Sequence, residues 1–163
     1  QLMVAVSREL HILNVTNDSH LDAKTLLKLR GHEGKILAID KLNTRIVGSC
    51  SSQDLKLWDL YKEKEQDSLH KSEGLTDLKF IPGEKRLARG ALDWSYKFYD
   101  VESMKMLKAY NLRGIPLTSS LIDINTMLVG GFPNVLTILD LRMPDPVYCE
   151  IGEEAITCLN IGQ

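Results

Sequence analysis

The stretch Ile46–Asp59, IVGSCSSQDLKLWD, decides how this chain reads, because it recurs. The same fourteen-residue window, laid down without gaps, ends at Asn14 (QLMVAVSRELHILN), Asp100 (LARGALDWSYKFYD) and Asp140 (MLVGGFPNVLTILD). Successive windows end 59−14=45, 100−59=41 and 140−100=40 residues apart. Self-similarity at a period of about 40–45 residues marks a structural unit written out several times.

Within the windows the local pattern is strand. Columns ten and twelve hold Leu10 and Ile12, Leu55 and Leu57, Tyr96 and Phe98, Leu136 and Ile138, with His11, Lys56, Lys97 and Thr137 between them. Apolar residues two apart around a polar one make a half-buried strand, since successive side chains leave opposite faces of a sheet. The first half of each window is expected to be another strand, at Leu2–Ala5, Ile46–Cys50, Leu87–Ala91 and Met127–Gly131. The links Ser7-Arg8, Ser52-Gln53, Asp93-Trp94 and Pro133-Asn134 carry mostly hairpin-turn residues. A leading strand is expected at Ile36–Ile39, Leu75–Phe80, Pro116–Ile122 and, last, Ala155–Ile161. A trailing strand is expected at Thr25–Leu29, Glu65–His70, Met104–Ala109 and Val147–Ile151. No segment has sustained helical period.

Gly31-His32, followed 26 residues later by Trp58-Asp59, is the most complete copy, and here the chain resembles the WD-repeat β-propeller family. The resemblance covers nearly the whole chain. It implies an all-β fold of blades, each of four antiparallel strands, with just under four blades present from a larger, typically seven-bladed ring. The blade units would be about 1–30, 31–72, 73–112 and 113–152, with the first strand of a next blade at 153–163. In that family a histidine, a strand serine, a turn aspartate and the tryptophan form a hydrogen-bonded set within a blade. The matching signature residues are His32, Trp58 and Asp59, then Asp93, Tyr99 and Asp100, then Asp140. The turn-aspartate column of the second window holds Ser52, and the serine column holds Gly48 with Ser49 beside it. The third window keeps Asp93 but has Arg89 in the serine column.

Length bears on completeness. At 163 residues the chain is expected to be an excerpt of a propeller. An open arc would expose the large apolar side chains of two blade faces, at a cost on the order of 10–25 kcal/mol. That is as much as a domain's whole stability. Further blades or another copy should therefore cover those faces. The other readings are a ring of four closed by Ala155–Ile161, and a dimer of halves.

Composition describes an ordinary chain, 44% hydrophobic and 26% charged with net charge −2. No apolar run reaches the roughly 18 residues of a membrane-spanning helix, so no membrane insertion is expected. Cys50, Cys149 and Cys158 have no metal-ligand spacing, and an intracellular location, cytoplasmic or nuclear, is expected. The evenly mixed charge lacks the basic stripe of a nucleic-acid surface.

The same residues bear on function. No nucleophile elbow, phosphate loop or zinc-protease motif appears, so neither enzyme nor cofactor is expected. The histidines at 11, 20, 32 and 70 are scattered, and His32 is expected to be bonded within its blade. The resemblance implies a surface that holds other proteins or peptides, on the rim where strand turns and blade linkers open. Trp94 stands in a turn column that often carries glycine, and Phe132 occupies the next turn on that rim. Aromatic pairs of this kind anchor interfaces. Arg30, Arg89 and Arg113 are candidate rim cations, with an internal ion pair from Arg89 to Asp93 or Glu84 as the ordinary alternative. Leu139-Asp140-Leu141-Arg142 is similar to the box by which some propellers dock onto ligase adaptors. A substrate receptor of a ubiquitin ligase is the first expectation. A scaffold in trafficking, cytoskeletal or RNA-processing assemblies comes second, and a propeller enzyme is the different-class alternative.

Overall fold

The computed structural model describes residues 2–16, 22–70 and 74–161, and all regular structure among them is β-strand. β1 (Leu2–Val6), β2 (Glu9–Thr16) and β3 (Asp22–Arg30) form a three-stranded sheet. β4 (Ile36–Lys41), β5 (Ile46–Ser51), β6 (Asp54–Asp59) and β7 (Lys64–His70) form a four-stranded one. β8 (Leu75–Ile81), β9 (Arg86–Ala91), β10 (Ser95–Asp100) and β11 (Met106–Asn111) make the third sheet. β12 (Ile115–Leu121), β13 (Thr126–Phe132), β14 (Val135–Asp140) and β15 (Val147–Glu150) make the fourth. Every pairing joins chain neighbours and is antiparallel, so tight turns suffice as connections.

The chain divides into two compact units, Gln1–Ser72 and Glu73–Gln163, with two sheets in each. In the first unit Leu10, Ile12 and Leu29 of one sheet pack with Val47 and Trp58 of the other. In the second, Ala88, Tyr96, Phe98 and Tyr110 pack with Met127, Val129 and Leu139. Tyr96 and Tyr110 each meet Phe98 edge to face, at ring separations of 5.7 and 6.1 Å. That arrangement places the positive ring edge on the negative face.

The gap-free sequence windows conceal a register slip. In the first unit Cys50 pairs with Leu55 and Ala5 with Leu10, leaving four residues between the partners. In the second Gly90 pairs with Tyr96 and Gly130 with Leu136, leaving five. One extra turn residue exchanges the faces of the first strand, because the side-chain period is two. The residue opposite column eleven is therefore Ser49 in β5 but Arg89 in β9, paired with Lys56 and Lys97 respectively.

Two expected strands differ. Ala155–Ile161 is irregular chain. The Ile156 N–H donates to Gly131 O of β13 at 3.0 Å, but among the described residues the segment pairs with no strand in a ladder. The strand expected from Met104 starts at Met106, because Met104 takes φ +51° and closes the turn after Asp100. Glu63, four residues after Asp59, does the same at φ +55°. Pro144 stands four residues after Asp140, where its ring rules out that conformation.

Candidate functional site

A buried polar relay crosses β5 and β6. Both ring nitrogens of His32 are engaged, Nδ1 with Asp54 Oδ1 at 2.5 Å and Nε2 with Ser49 Oγ at 2.6 Å. The Trp58 Nε1–H donates to the same Ser49 oxygen at 2.7 Å. A carboxylate only accepts, so Nδ1 carries the proton; Ser49, already accepting from Trp58, donates its own to Nε2. Asp54 also accepts from Ser51 Oγ and from the Glu33 N–H at 3.2 Å. Burial pushes the Asp54 carboxyl up, but its bonds from His32, Ser51 and Glu33 outweigh that and hold it below the ordinary carboxylate value. The carboxylate thus comes from Asp54, two residues beyond the expected column at Ser52.

Serine, histidine and aspartate in this order resemble a nucleophile, its base and the group that orients the base. Here the arrangement is sealed. Ser49 and Asp54 have no exposed surface, and the serine oxygen faces an indole donor where a substrate carbonyl would need to stand. What the relay can do is hold two strands and the residue 32 loop in one geometry.

The second unit fills the same place differently. Arg89, opposite Lys97, donates from Nε and Nη2 to the Tyr99 hydroxyl at 3.2 and 2.9 Å, with its guanidinium 5.3 Å from the Tyr99 ring centre. This corrects the ion pair expected with Asp93 or Glu84. Asp93 faces Lys97 and Glu84 faces Arg86, while buried Arg89 has no carboxylate partner among the described residues. The direction of the bond is reversed: tryptophan donates to serine in β5–β6, and arginine donates to tyrosine in β9–β10.

The expected rim residues separate into two groups. Trp94 sits in the β9–β10 turn at φ +64°, a left-handed conformation that costs a side-chain-bearing residue about 1–2 kcal/mol. Its turn is closed by the Trp94 N–H bonding to Ala91 O at 3.2 Å, yet its side chain is 53% exposed. Phe132, at the end of β13, is 57% exposed. Residues 112–114 link these turns. The Leu112 N–H donates to Trp94 O at 2.7 Å, and a Cβ on Gly114 would lie 2.0 Å from Phe132 O. Two residues of chain span at most about 7 Å, so the two turn carbonyls lie within roughly 15 Å of each other. Arg113 is exposed on this linker, its guanidinium 4.4 Å from the Tyr148 ring centre. Trp94, Arg113 and Phe132 therefore belong together. Leu92, in the same rim column as Phe132 but not counted among the expected site residues, adds a second exposed apolar side chain on the Trp94 turn. Its signal was an apolar residue in a turn column where polar residues are the rule.

Arg89 falls outside this group, and Arg30 belongs to the other unit. Arg89 lies mid-strand and buried. Arg30, in the first unit, pairs with Glu9 at 2.8 Å. The recurrent aspartates close turns. Asp59 accepts from the N–H groups of Tyr61 and Lys62, Asp100 from Ser103, and Asp140 from Arg142. Arg45 and Arg142 also bond Asp59 and Asp140 through their guanidinium groups, and these bonds lower both carboxyls to about 2. Arg142 of the docking-box echo is thereby held by its own aspartate. His11 bonds Glu9, His20 lies outside the described residues, and nothing is described of the His70 side chain.

Among the described residues no three His, Cys, Asp or Glu side chains have metal-holding geometry, and no helix is long and apolar enough to cross a membrane. No protein-family model matches the sequence, and comparison with curated proteins finds no match.

Proposed function

We propose that this chain is a stretch of a divergent WD-repeat β-propeller that binds other proteins or peptides and carries out no chemistry of its own. Successive four-stranded antiparallel sheets and the His32–Ser49–Trp58–Asp54 relay support the propeller reading. The observation that carries the binding reading is Trp94. A bulky side chain occupies a strained turn position that glycine would fill without cost, and more than half of it faces solvent. Strain held at an exposed aromatic points to use outside the fold. A substrate-recognition propeller of a ubiquitin ligase is the form of this activity that the Asp140-Leu141-Arg142 sequence favours.

Random peptides displayed on phage and selected on the wild-type chain would test the reading, with counter-screening on the Trp94→Ala/Phe132→Ala double variant. Selected peptides should lose most of their binding, while thermal stability stays within about 1 kcal/mol, as for surface changes. Undiminished binding to the double variant would place the surface elsewhere. Parallel loss of folding would make these rings core residues.

A further inference from the structure

Resting on that reading of the rim, we infer that the Trp94–Arg113–Phe132 surface takes an extended acidic peptide, with a carboxylate on Arg113 and a neighbouring aliphatic side chain against the exposed aromatics. Charge is the discriminating observation. Arg30, Arg45, Arg86 and Arg142 each face a carboxylate within 4 Å. Arg113 has none among the described residues; Arg8 and buried Arg89 share that lack, but Arg113 is set on the linker between the Trp94 and Phe132 turns, against the face of Tyr148. That ring fixes the guanidinium plane without neutralising it. Tyr148 is itself anchored, its hydroxyl donating to Asn111 O at 3.1 Å. The cation is thus held by aromatic stacking on one side and leaves its N–H groups for an acceptor from outside, the geometry in which arginine recognises carboxylates.

Of the nearby acids, Asp93 accepts from Ser95 N and Oγ and lies 3.4 Å from Lys97 Nζ. Asp145 acts on Tyr148 through space but makes no ion pair with Arg113 within 4 Å. Glu153 and Glu154 follow Gly152, whose carbonyl accepts from Asn134 Nδ2 at 2.6 Å, which puts acidic residues on the 132–134 side of the surface. The peptide's acidic residue therefore belongs nearer Trp94, and its acid-free end nearer Asn134. The turns are close enough for one short extended segment, since about four to five residues cover the roughly 15 Å that bounds their separation.

Three synthetic decapeptides test this on the full chain: one with two glutamates followed by two leucines between Gly-Ser ends, its two-lysine counterpart, and a glutamate peptide with alanines for the leucines. Fluorescence anisotropy should rank the glutamate–leucine peptide first. Arg113→Gln should weaken it roughly fivefold, the size of one solvent-accessible charge pair, and abolish its preference over the lysine peptide. Tyr148→Leu, which keeps the charge but removes the stacking, should weaken it less. Equal binding of the glutamate and lysine peptides, or an Arg113→Gln variant that keeps the preference, overturns the inference. If either happens while phage-selected peptides still depend on Trp94 and Phe132, the rim stands and only the acidic partner falls.

Discussion

The two units solve one problem with opposite materials. Between β5 and β6 the interior is a hydrogen-bonded relay in which each member satisfies the next. Between β9 and β10 the relay's place is taken by an arginine on a tyrosine, beside a stack of three aromatic rings. The one-residue slip makes this exchange possible, because it turns Arg89 to the face that Ser49 occupies. A polar relay fails when any member is lost, since the others are then buried without partners. An aromatic core fails in proportion to the volume removed.

Substitutions can break or sharpen that contrast. The largest effect is expected at Phe98, where alanine should cost about 4 kcal/mol in urea unfolding, because two ring neighbours lose their packing. His32→Ala should cost about 3 kcal/mol, by leaving the Asp54 carboxylate buried without its main partner. The relay predicts strong coupling here. In a double-mutant cycle His32→Ala and Asp54→Ala should together cost well below the sum of the two, whereas Phe98→Ala and a change in the other unit's core cluster such as Leu10→Ala should nearly add. Additive losses at His32 and Asp54 would dissolve the contrast. Trp58→Phe keeps the ring but removes the donor to Ser49, for a loss of about 1–2 kcal/mol. Trp94→Gly should act in the other direction, stabilising by up to about 1 kcal/mol while weakening peptide capture.

The smallest difference belongs to Asp59 and Asp140, and it is present at neutral pH and disappears in acid. Their carboxyls lie at about 2 in the folded chain against an ordinary 3.8. Between those values the unfolded chain binds more protons, so stability present above pH 4 is lost as pH falls toward about 2. Arg45→Ala and Arg142→Ala should each flatten that loss in acid titrations followed by circular dichroism. An unchanged acid limb would show that the arginines do not set it.

Most of the strand order was legible because alternation at columns ten to twelve survives every substitution. The slip between units was not, since a turn of one more residue leaves the apolar pattern of the second strand intact and flips only the first. Asp54 was missed for a related reason: the carboxylate reaches His32 from the first residue of β6, two residues past the expected column, and linear columns do not register reach. Arg89 was recognised as an oddity, but its tyrosine partner lies ten residues away on the adjacent strand, where only pairing reveals it. Ala155–Ile161 has strand composition, yet composition cannot supply the neighbour a ladder requires. On the rim, Trp94 and Phe132 stood out as residues their columns did not explain, whereas Arg113 gained its standing from Tyr148, a contact 35 residues away.

Gly90 and Gly130 carry a consequence for anyone wishing to regularise these repeats. A Cβ on Gly90 would come within 2.8 Å of Pro116, and one on Gly130 within 2.5 Å of Ile156, residues from the chain that follows each sheet. The corresponding positions of the first unit are Ala5 and Cys50, so averaging the copies toward a shared side-chain-bearing residue would drive a wedge beneath the next segment. Each glycine and the side chain seated over it, 26 positions downstream, form one heritable joint, and a graft succeeds only when both halves travel together.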